Sequence, residues 1–376
     1  MAQEQSDIFK YNLMFWKIFG IWPGEIPTKC YKYYSFAYLF ITLFVYNILL
    51  TLNLIYTPPK IELIIREVIF YFTEIVVTAK VLTILLMREK IIQAFNLMNS
   101  DVFKGEDETT KGILAESNRN YKKFYKMYSI LSNVAYASQV LVPIFVRLIL
   151  RTESEKDLPI CKYYFLGDDV RQSYFVYWFV YQSFGMYGHM MYNVNIDSFI
   201  AGLLLMAITE VKMLKLKMST FQLNLEELKL PLHTQDYIQM LKLNCYLRHY
   251  DLILKYRSII QKIISVTIFV QFGIASTIIC VVMCGLLLVS MSFFTTKTNQ
   301  LFHAHTKSQN TLTLTKFLSQ DLVFAAYTSE WIPRSEAIKR SLKLFMERAK
   351  IPIVITGLKM FPLSLVTFTS VSIILS

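Results

Sequence analysis

Residues 325–376 read AAYTSEWIPRSEAIKRSLKLFMERAKIPIVITGLKMFPLSLVTFTSVSIILS, and this stretch decides how the fold is interpreted. Between Ser335 and Lys350 the apolar residues recur at helical spacing, so they share one face while lysines and arginines occupy the other. Pro352 ends this helix, and residues 353–376 are apolar apart from Lys359. A helix needs about 20 apolar residues to cross a bilayer. The stretch therefore predicts a solvated basic helix that leads directly into a spanning one.

The composition is that of a membrane protein with several helical spans. Of the 376 residues, 54% are hydrophobic, and the mean hydropathy is +0.40. The apolar residues come in long runs rather than amphipathic stripes. The net charge of +12 lies between those runs, which fits the cytoplasmic excess of Lys and Arg better than a phosphate-binding face. We therefore expect the lipid bilayer, and no nucleic acid, as a partner.

The apolar runs predict five spans before the final one. They are residues 36–56, 63–87, 128–150, 174–209 and 263–294. Residues 88–126 and 210–262 are predicted to be basic loops, and residues 151–171 an acidic one. The distribution of Lys and Arg places the N-terminus, both basic loops and the 335–350 helix inside, and the acidic loop outside. A short patch at 15–22, with two tryptophans, predicts an interfacial helix.

Two blocks of residues carry a resemblance to a known family. The first comprises residues 343–352, 354–356, 361–365 and 368–370, preceded by Ala325-Ala326-Tyr327 and Trp331. The second, IDSF at 196–199 and AGLLL at 201–205, lies at the inner end of the fourth span. Both resemble insect odorant receptors. The resemblance implies an all-α polytopic membrane protein, a seven-transmembrane-type helical bundle with an intracellular N-terminus and cytoplasmic anchor helices.

The chain departs from that family in two places. A sixth crossing is required before the 335–350 helix, but its candidate, residues 311–329, contains Lys316 and Asp321. Each would cost roughly 2.5–3.5 kcal/mol near the bilayer centre, so we expect a shortened or degenerate sixth span. Family members also continue past the position that matches Ser376, and Val366 stands where an acid is common. By the resemblance, the missing part completes the pore-lining helix and its gate. The chain is then either a divergent or truncated gene product, or one whose sixth crossing forms with help from neighbouring subunits.

The predicted organisation has five regions. They are a cytoplasmic N-terminal segment, 1–35; spans one to five, 36–294, with the basic loop at 210–262; a polar segment with the degenerate sixth span, 295–330; the cytoplasmic anchor helix, 331–352; and, by the resemblance, a final pore-lining span, 353–376.

Ionisable residues within the second span are the main polar signal inside the bilayer. Such groups are costly and usually face a bundle interior or water. We expect Arg66 and Glu67 to lie near the outer end and Lys80 to extend inward, which leaves Glu74 to be explained. His189 is expected to be a hydrogen-bonded packing residue.

No combination of residues predicts an enzyme or a cofactor site. His303 and His305 lie in a polar stretch without a nearby thiol or carboxylate cluster, which does not favour a metal site. We therefore expect no catalytic residues, no metal and no cofactor.

The outer halves of four spans predict an aromatic cavity with a few hydroxyls, which suits a small volatile odorant. Its expected ligand-binding residues are Phe70, Tyr71, Phe72, Ser138, Val142, Phe145, Tyr177, Tyr181, Phe184, Thr277 and Val281. The alternative, that these are ordinary interhelical or lipid-facing side chains, stays open for each residue.

The resemblance also implies a function and two further sets of residues. Odorant receptors form cation pores of four subunits, usually a tuning subunit of this type with a shared co-receptor, in the plasma membrane of olfactory dendrites. The implied anchor and subunit-interface residues are Tyr327, Trp331, Leu342, Phe345, Met346, Ala349 and Pro352, and the implied pore-helix residues are Leu363, Phe368 and Ile374. The alternatives are a non-conducting but assembly-competent or truncated variant, and a gustatory-type receptor channel.

Overall fold

The computed structural model describes residues 5–23, 29–105, 107–150, 158–221, 227–288, 321–329, 331, 335–351, 356–357 and 361–362. The helices are α1 (Lys10–Ile18), α2 (Lys29–Leu39), α3 (Tyr46–Ile55), α4 (Ile61–Leu86), α5 (Arg88–Met98), α6 (Glu108–Leu150), α7 (Asp168–Ser173), α8 (Phe175–Ser219), α9 (Leu232–Leu288), α10 (321–327) and α11 (Glu336–Ala349). Gln5–Phe9 and Glu227–Lys229 form 3₁₀ turns, and a π-helical stretch, Phe40–Val45, joins α2 to α3. The predicted all-α bundle is confirmed.

Three of the described helical segments are long and apolar enough to cross a membrane. They are Lys29–Ile55, Ile61–Leu86 and Leu232–Met283. Many of their large apolar side chains, such as Phe44 and Leu82, stay about half exposed on the single chain. This is expected where lipid or another subunit covers the helix surface.

The two basic stretches predicted as loops are mostly helical, so that interpretation was wrong. Residues 88–126 hold α5 and the first part of α6, and residues 210–262 hold the end of α8 and the start of α9. Hydropathy marks where the apolar surface ends. The backbone hydrogen bonds of a helix continue past that point as long as strong helix formers such as Lys, Leu and Glu follow. Helices α6, α8 and α9 consequently run far beyond the thickness of a bilayer.

The N-terminal helix is docked into the bundle, and its predicted interfacial position stays a prediction. Trp16 is fully buried, and its ring lies 4.7 Å from that of Phe199 on α8. The Asn12 amide donates to the Asn195 carbonyl at 2.9 Å and accepts from the Tyr121 hydroxyl at 2.8 Å. A tryptophan in a short apolar patch suits a headgroup belt and a protein core equally, and only its tertiary partners distinguish the two.

The larger hydrophobic core of the described residues, which we call the inner core, lies where α1, α5, α8, α9, α10 and α11 meet, at the end of the bundle predicted to be cytoplasmic. Leu322 and Ala326 of α10 and Leu342 of α11 are fully buried in it. Asp321 pairs with Lys215 of α8 at 2.7 Å. The C-terminal part of the predicted sixth crossing, 321–329, therefore packs into this core, while residues 311–320 lie outside the described residues.

The start of the predicted final helix is extended. Thr356–Gly357 and Phe361–Pro362 form a two-residue antiparallel pair, with Thr356 opposite Pro362 and Gly357 opposite Phe361. Gly357 has a high entropic cost in a helix, and Pro362 disfavours a helical conformation at Phe361. These four positions are therefore extended and not helical as predicted. The rest of that region lies outside the described residues.

Candidate ligand-binding site

A second, smaller hydrophobic cluster, which we call the outer cluster, lies at the end of the bundle predicted to face outside. Its buried members are Tyr46 and Leu50 of α3 and four residues between α6 and α7, namely Leu158, Ile160, Cys161 and Tyr163. Partly buried aromatic side chains surround it: Phe70, Tyr71, Phe165, Phe175, Trp178, Phe179 and Tyr181. We call residues 158–166 the strap, because they pack against the ends of α3 and α8.

Two buried side-chain amides fasten the strap. The Gln182 amide of α8 donates to the Cys161 carbonyl at 2.9 Å and accepts from the Ile160 N–H at 3.2 Å. The side-chain oxygen Oδ1 of Asn53, in α3, accepts from the Tyr164 N–H at 3.0 Å. Both amides are almost inaccessible to solvent. Since an unpaired buried backbone N–H is costly, these contacts fix the strap in one position.

The strap also contains a strained residue. Tyr163 has a φ of 53°, in the left-handed region that bulky side chains rarely adopt. Its buried ring meets the Trp178 ring edge-on at a centroid distance of 5.5 Å. Such conformations cost of order 1–3 kcal/mol and persist where the surroundings impose them, often at ligand-binding segments.

A cavity of about 210 Å³ opens between the strap, α4 and α6. Its lining residues are Arg66 and Phe70 of α4, Gln139 of α6, and Leu158, Pro159, Ile160, Cys161 and Lys162 of the strap. An apolar cavity of about 150 Å³ holds benzene, so this space suits a molecule of one ring with a few further atoms.

A hydrogen-bonded chain runs from the cavity to the strap. The Arg66 guanidinium donates to the Glu67 carboxylate from Nε at 3.1 Å and from Nη2 at 2.8 Å. Asn53 Nδ2 donates to the other oxygen of Glu67 at 2.8 Å. Glu67 is buried, whereas the Arg66 side chain is 41% exposed. The carboxylate therefore has a partner on each oxygen, and the guanidinium keeps a face toward the cavity.

The structure brings some of the predicted ligand-binding residues together and leaves others apart. Phe70, Tyr71 and Tyr181 pack around the outer cluster, and Phe72 contacts Tyr71. Val281 is partly buried in α9. Five predicted residues are exposed on the single chain: Ser138, Phe145, Tyr177, Phe184 and Thr277. The side chain of Val142 lies outside the described residues. As a complete ligand-binding set, these residues stay a prediction.

Polar partners inside the bundle account for the charged residues of the second span. Glu74 contacts His189 Nδ1, and the other ring nitrogen of His189 lies 2.5 Å from the Thr42 carbonyl. Lys80 is 1% exposed and lies 2.7 Å from Asp197 and 2.6 Å from the Asn193 amide oxygen. The expectation that Lys80 extends toward water was therefore wrong. Pairing removes the cost of the buried charge, so no extension is needed.

A buried carboxylate also joins α8 to α9 near the inner core. Glu210 Oε2 lies 3.0 Å from His249 Nε2, and both side chains are buried. Burial raises the pKa of Glu210 well above its ordinary value, and Lys217 opposes this only in part. The proton therefore stays on Glu210, whose O–H donates to the neutral imidazole.

Helix α11 packs its apolar face against α9. Ile338, Leu342, Phe345 and Ala349 are buried, and the Phe345 ring meets Tyr250 edge-on at 5.1 Å. Arg348 pairs with Asp251 at 2.8 Å and lies 5.8 Å from the Tyr250 ring centroid. Among the other implied anchor residues, Met346 and Trp331 are partly buried against the core.

The remaining implied residues contribute less to this packing. Tyr327 is 66% exposed, although its carbonyl accepts from Trp331 Nε1 at 3.1 Å. Pro352, Leu363, Phe368 and Ile374 lie outside the described residues.

The sequence reasoning missed the residues that shape the cavity. Asn53 and Gln182 are amides within apolar runs, and this was the available signal. Their partners Tyr164 and Cys161 lie 111 and 21 positions away, a separation that periodicity cannot bridge. Across the described ranges, no group of three or more His, Cys, Asp or Glu side chains could hold a metal ion.

Comparison with known proteins identifies similar chains over nearly the whole length. The 7tm odorant receptor family model matches residues 60–373. Odorant receptor 46a, isoform B, of Drosophila melanogaster is 21% identical over 394 residues, which cover 97% of this chain and 95% of that protein.

Two solved structures of the insect olfactory receptor OR5 from Machilis hrabei share the fold. The complex with eugenol has a TM-score of 0.79 at 16% identity and covers 99% of this chain and 97% of that one. The other structure has a TM-score of 0.75 at 15% identity, with 97% and 94% covered.

Proposed function

This chain belongs to the 7tm odorant receptor family, and we propose that it is the ligand-tuning subunit of an odorant-gated, non-selective cation channel formed with a shared co-receptor. The family is a class of receptors and not of enzymes. The observation that carries the proposal is the family match over residues 60–373, which includes the strap, the cavity and the anchor. The proposed location is the plasma membrane of an olfactory dendrite.

The outer cluster supports ligand binding at this position. Its cavity is of the size of a small volatile molecule, and its walls combine apolar side chains with polar groups that can orient a ligand. The similar Machilis hrabei receptor has been solved in complex with eugenol, a small aromatic molecule. By analogy of fold, a small volatile ligand is proposed for this chain as well.

The inner core supports assembly. Helix α11 is held on α9 by buried apolar contacts and by the Arg348–Asp251 pair. Around it, large apolar side chains stay exposed on the single chain, including Phe324, Tyr327 and Leu344. Exposed apolar surface of this kind is typical of a contact between subunits.

The test is co-expression of this chain with the co-receptor in cells, with the assembled complex recovered from the surface. The proposal predicts an odorant-evoked cation current in these cells that cells with the co-receptor alone do not show. Surface complexes that stay silent across a broad panel of volatiles would contradict conduction.

A second candidate function is a non-conducting subunit that assembles with its partners. The polar residues Lys316 and Asp321 in the expected sixth span favour it, as does the placement of Asp321 beside Lys215 in the inner core. Co-purification with the co-receptor without any ligand-dependent current would favour this candidate, and failure to co-purify would exclude it.

A further inference from the structure

The cavity beneath the strap has an apolar side and a polar side. Its apolar wall is made by Phe70, Leu158, Pro159 and Ile160. The rest of the lining is Arg66 and Gln139 with Cys161 and Lys162 of the strap, and Lys162 already has an interaction partner of its own. Neither the Nη1 group of Arg66 nor the Gln139 amide makes a hydrogen bond to another described residue. Arginine offers five N–H donors and no acceptor, so donors dominate the polar side.

The orientation of Arg66 is fixed before any ligand arrives. Its Nε and Nη2 are held by Glu67, and Glu67 is held by Asn53, which is fully buried. A donor whose position is set by its surroundings loses little entropy when a ligand accepts from it. Arg66 is therefore a pre-organised hydrogen-bond donor at the cavity wall.

The charge of the Arg66–Glu67 pair favours a neutral over an anionic ligand at Arg66. Glu67 neutralises Arg66, and the carboxylate is buried directly behind the guanidinium. A ligand carboxylate at Arg66 would gain from the guanidinium but would also lie near the negative charge of Glu67. A neutral carbonyl accepts the same hydrogen bond without that repulsion and without the cost of desolvating an anion.

We infer that this cavity binds a small neutral carbonyl compound, a ketone, aldehyde or ester, with its oxygen on Arg66 and its apolar part against Phe70 and the strap. The inference rests on the proposed function, because it names the ligand class of that receptor. The volume of the cavity suits a ligand of about six to eight carbon atoms, judged against the benzene-sized reference cavity.

The test measures binding on the full-length purified chain, so that it does not depend on conduction. The readout is the rise in melting temperature with acetophenone, phenylacetic acid or ethylbenzene, which share a phenyl ring and a carbon count and differ in the polar group. The structure predicts stabilisation by acetophenone at the lowest concentration, with weaker effects of the acid and the hydrocarbon.

The decisive variant is the double substitution Arg66→Gln with Glu67→Gln, which removes the guanidinium without leaving a buried carboxylate unpaired. It is expected to weaken acetophenone binding roughly 10- to 100-fold, the usual effect of losing a hydrogen bond to a charged group, and to leave ethylbenzene unchanged. Gln139→Leu removes a second polar group of the cavity wall, on α6, and is likewise expected to weaken acetophenone binding. Lys60→Gln is the control, because Lys60 is an exposed cation just before α4 and does not line the cavity.

The outcomes separate the inference from the proposed function. Acetophenone binding that both cavity variants leave unchanged, or no stabilisation by acetophenone, would overturn the inference. Preferential binding of phenylacetic acid would overturn the choice of a neutral ligand. Arg66-dependent binding of acetophenone in a chain that gives no current with the co-receptor would support the inference and contradict only the conducting function.

Discussion

The side chain of Asn53 in α3 holds the backbone of Tyr164 in the strap, with its Oδ1 3.0 Å from the Tyr164 nitrogen. The same amide donates to Glu67, so one buried side chain connects the strap to the cavity arginine. The position of the strap and the orientation of Arg66 are thus coupled through a single residue.

Replacing Asn53 with Leu is expected to destabilise the protein and weaken ligand binding together. The Tyr164 N–H and one oxygen of Glu67 would lose their partner, and buried unpaired groups cost about 1–3 kcal/mol each. The measurement is the melting temperature in detergent with and without acetophenone. Asn133→Ala is the control, since among the described residues Asn133 bonds only to the Ser129 carbonyl within its own helix. Equal melting temperatures for the two variants would contradict the role given to Asn53.

Gly185 is expected to be indispensable for the packing of α8 against α3. A Cβ atom at this position would overlap the ring of Tyr46, which is 1% exposed and has little space to move. Overpacking of this kind costs typically about 1–3 kcal/mol, so Gly185→Ala should lower the melting temperature and the surface level. Gly188→Ala, three positions along the same helix, is the matched control, because only the Tyr38 hydroxyl lies near, at 3.4 Å. A Gly185→Ala variant as stable as Gly188→Ala would show that this contact is not tight.

The buried pair Lys80–Asp197 should matter far more than the exposed pair Lys215–Asp321. Lys80→Met leaves Asp197, whose side chain is 26% exposed, without its cation, and the cost is expected to lie below the about 3–5 kcal/mol of a fully buried pair. Lys215→Met removes a pair whose side chains are 38% and 49% exposed, for which about 0–1 kcal/mol is usual.

The double variant Lys80→Met with Asp197→Asn should recover part of the stability lost in Lys80→Met. Comparison of the melting temperatures of the single and double variants tests this. If Lys80→Met and Lys215→Met behave alike, then Lys80 is not buried in the folded protein.

Glu210 gives a pH dependence whose sign follows from its raised pKa. Burial keeps the proton on the folded carboxyl, whereas the unfolded carboxyl is ionised at neutral pH. The folded state therefore binds the extra proton, and the stability that this group contributes is lost as the pH rises. As the pH rises above 4.5, the ordinary pKa of Glu, the wild type should lose melting temperature, and Glu210→Gln should lose less. Glu347→Gln, at an exposed residue of α11, is the control and should keep the wild-type dependence of melting temperature on pH. If Glu210→Gln shows that same dependence, Glu210 is not protonated in the folded protein.

The sequence predicted the family, the helical class and the apolar runs because these depend on local patterns. The apolar run containing α4 and the buried face of α11 are visible in their own residues. The lengths of α6, α8 and α9 were not predictable from hydropathy, since a helix does not end where its surface becomes polar.

The site was less predictable for a different reason. Glu74 and His189 each stood out as polar residues in apolar spans, but their pairing joins positions 115 apart. The same holds for Lys80 with Asp197 and for the strap with Asn53. Contacts of this kind are set by how the helices pack, and a single sequence does not encode that packing in its periodicity.

The most direct test of the receptor assignment is the odorant-evoked current in cells that carry this chain with the co-receptor, compared with cells that carry the co-receptor and the Gln139→Leu variant. The account predicts a current evoked by small carbonyl compounds in the first cells, and in the second a dose–response curve shifted to higher concentration with the same ion selectivity. A current that is identical in both, or that is equally present with the co-receptor alone, would contradict the claim that this chain supplies the ligand-binding site.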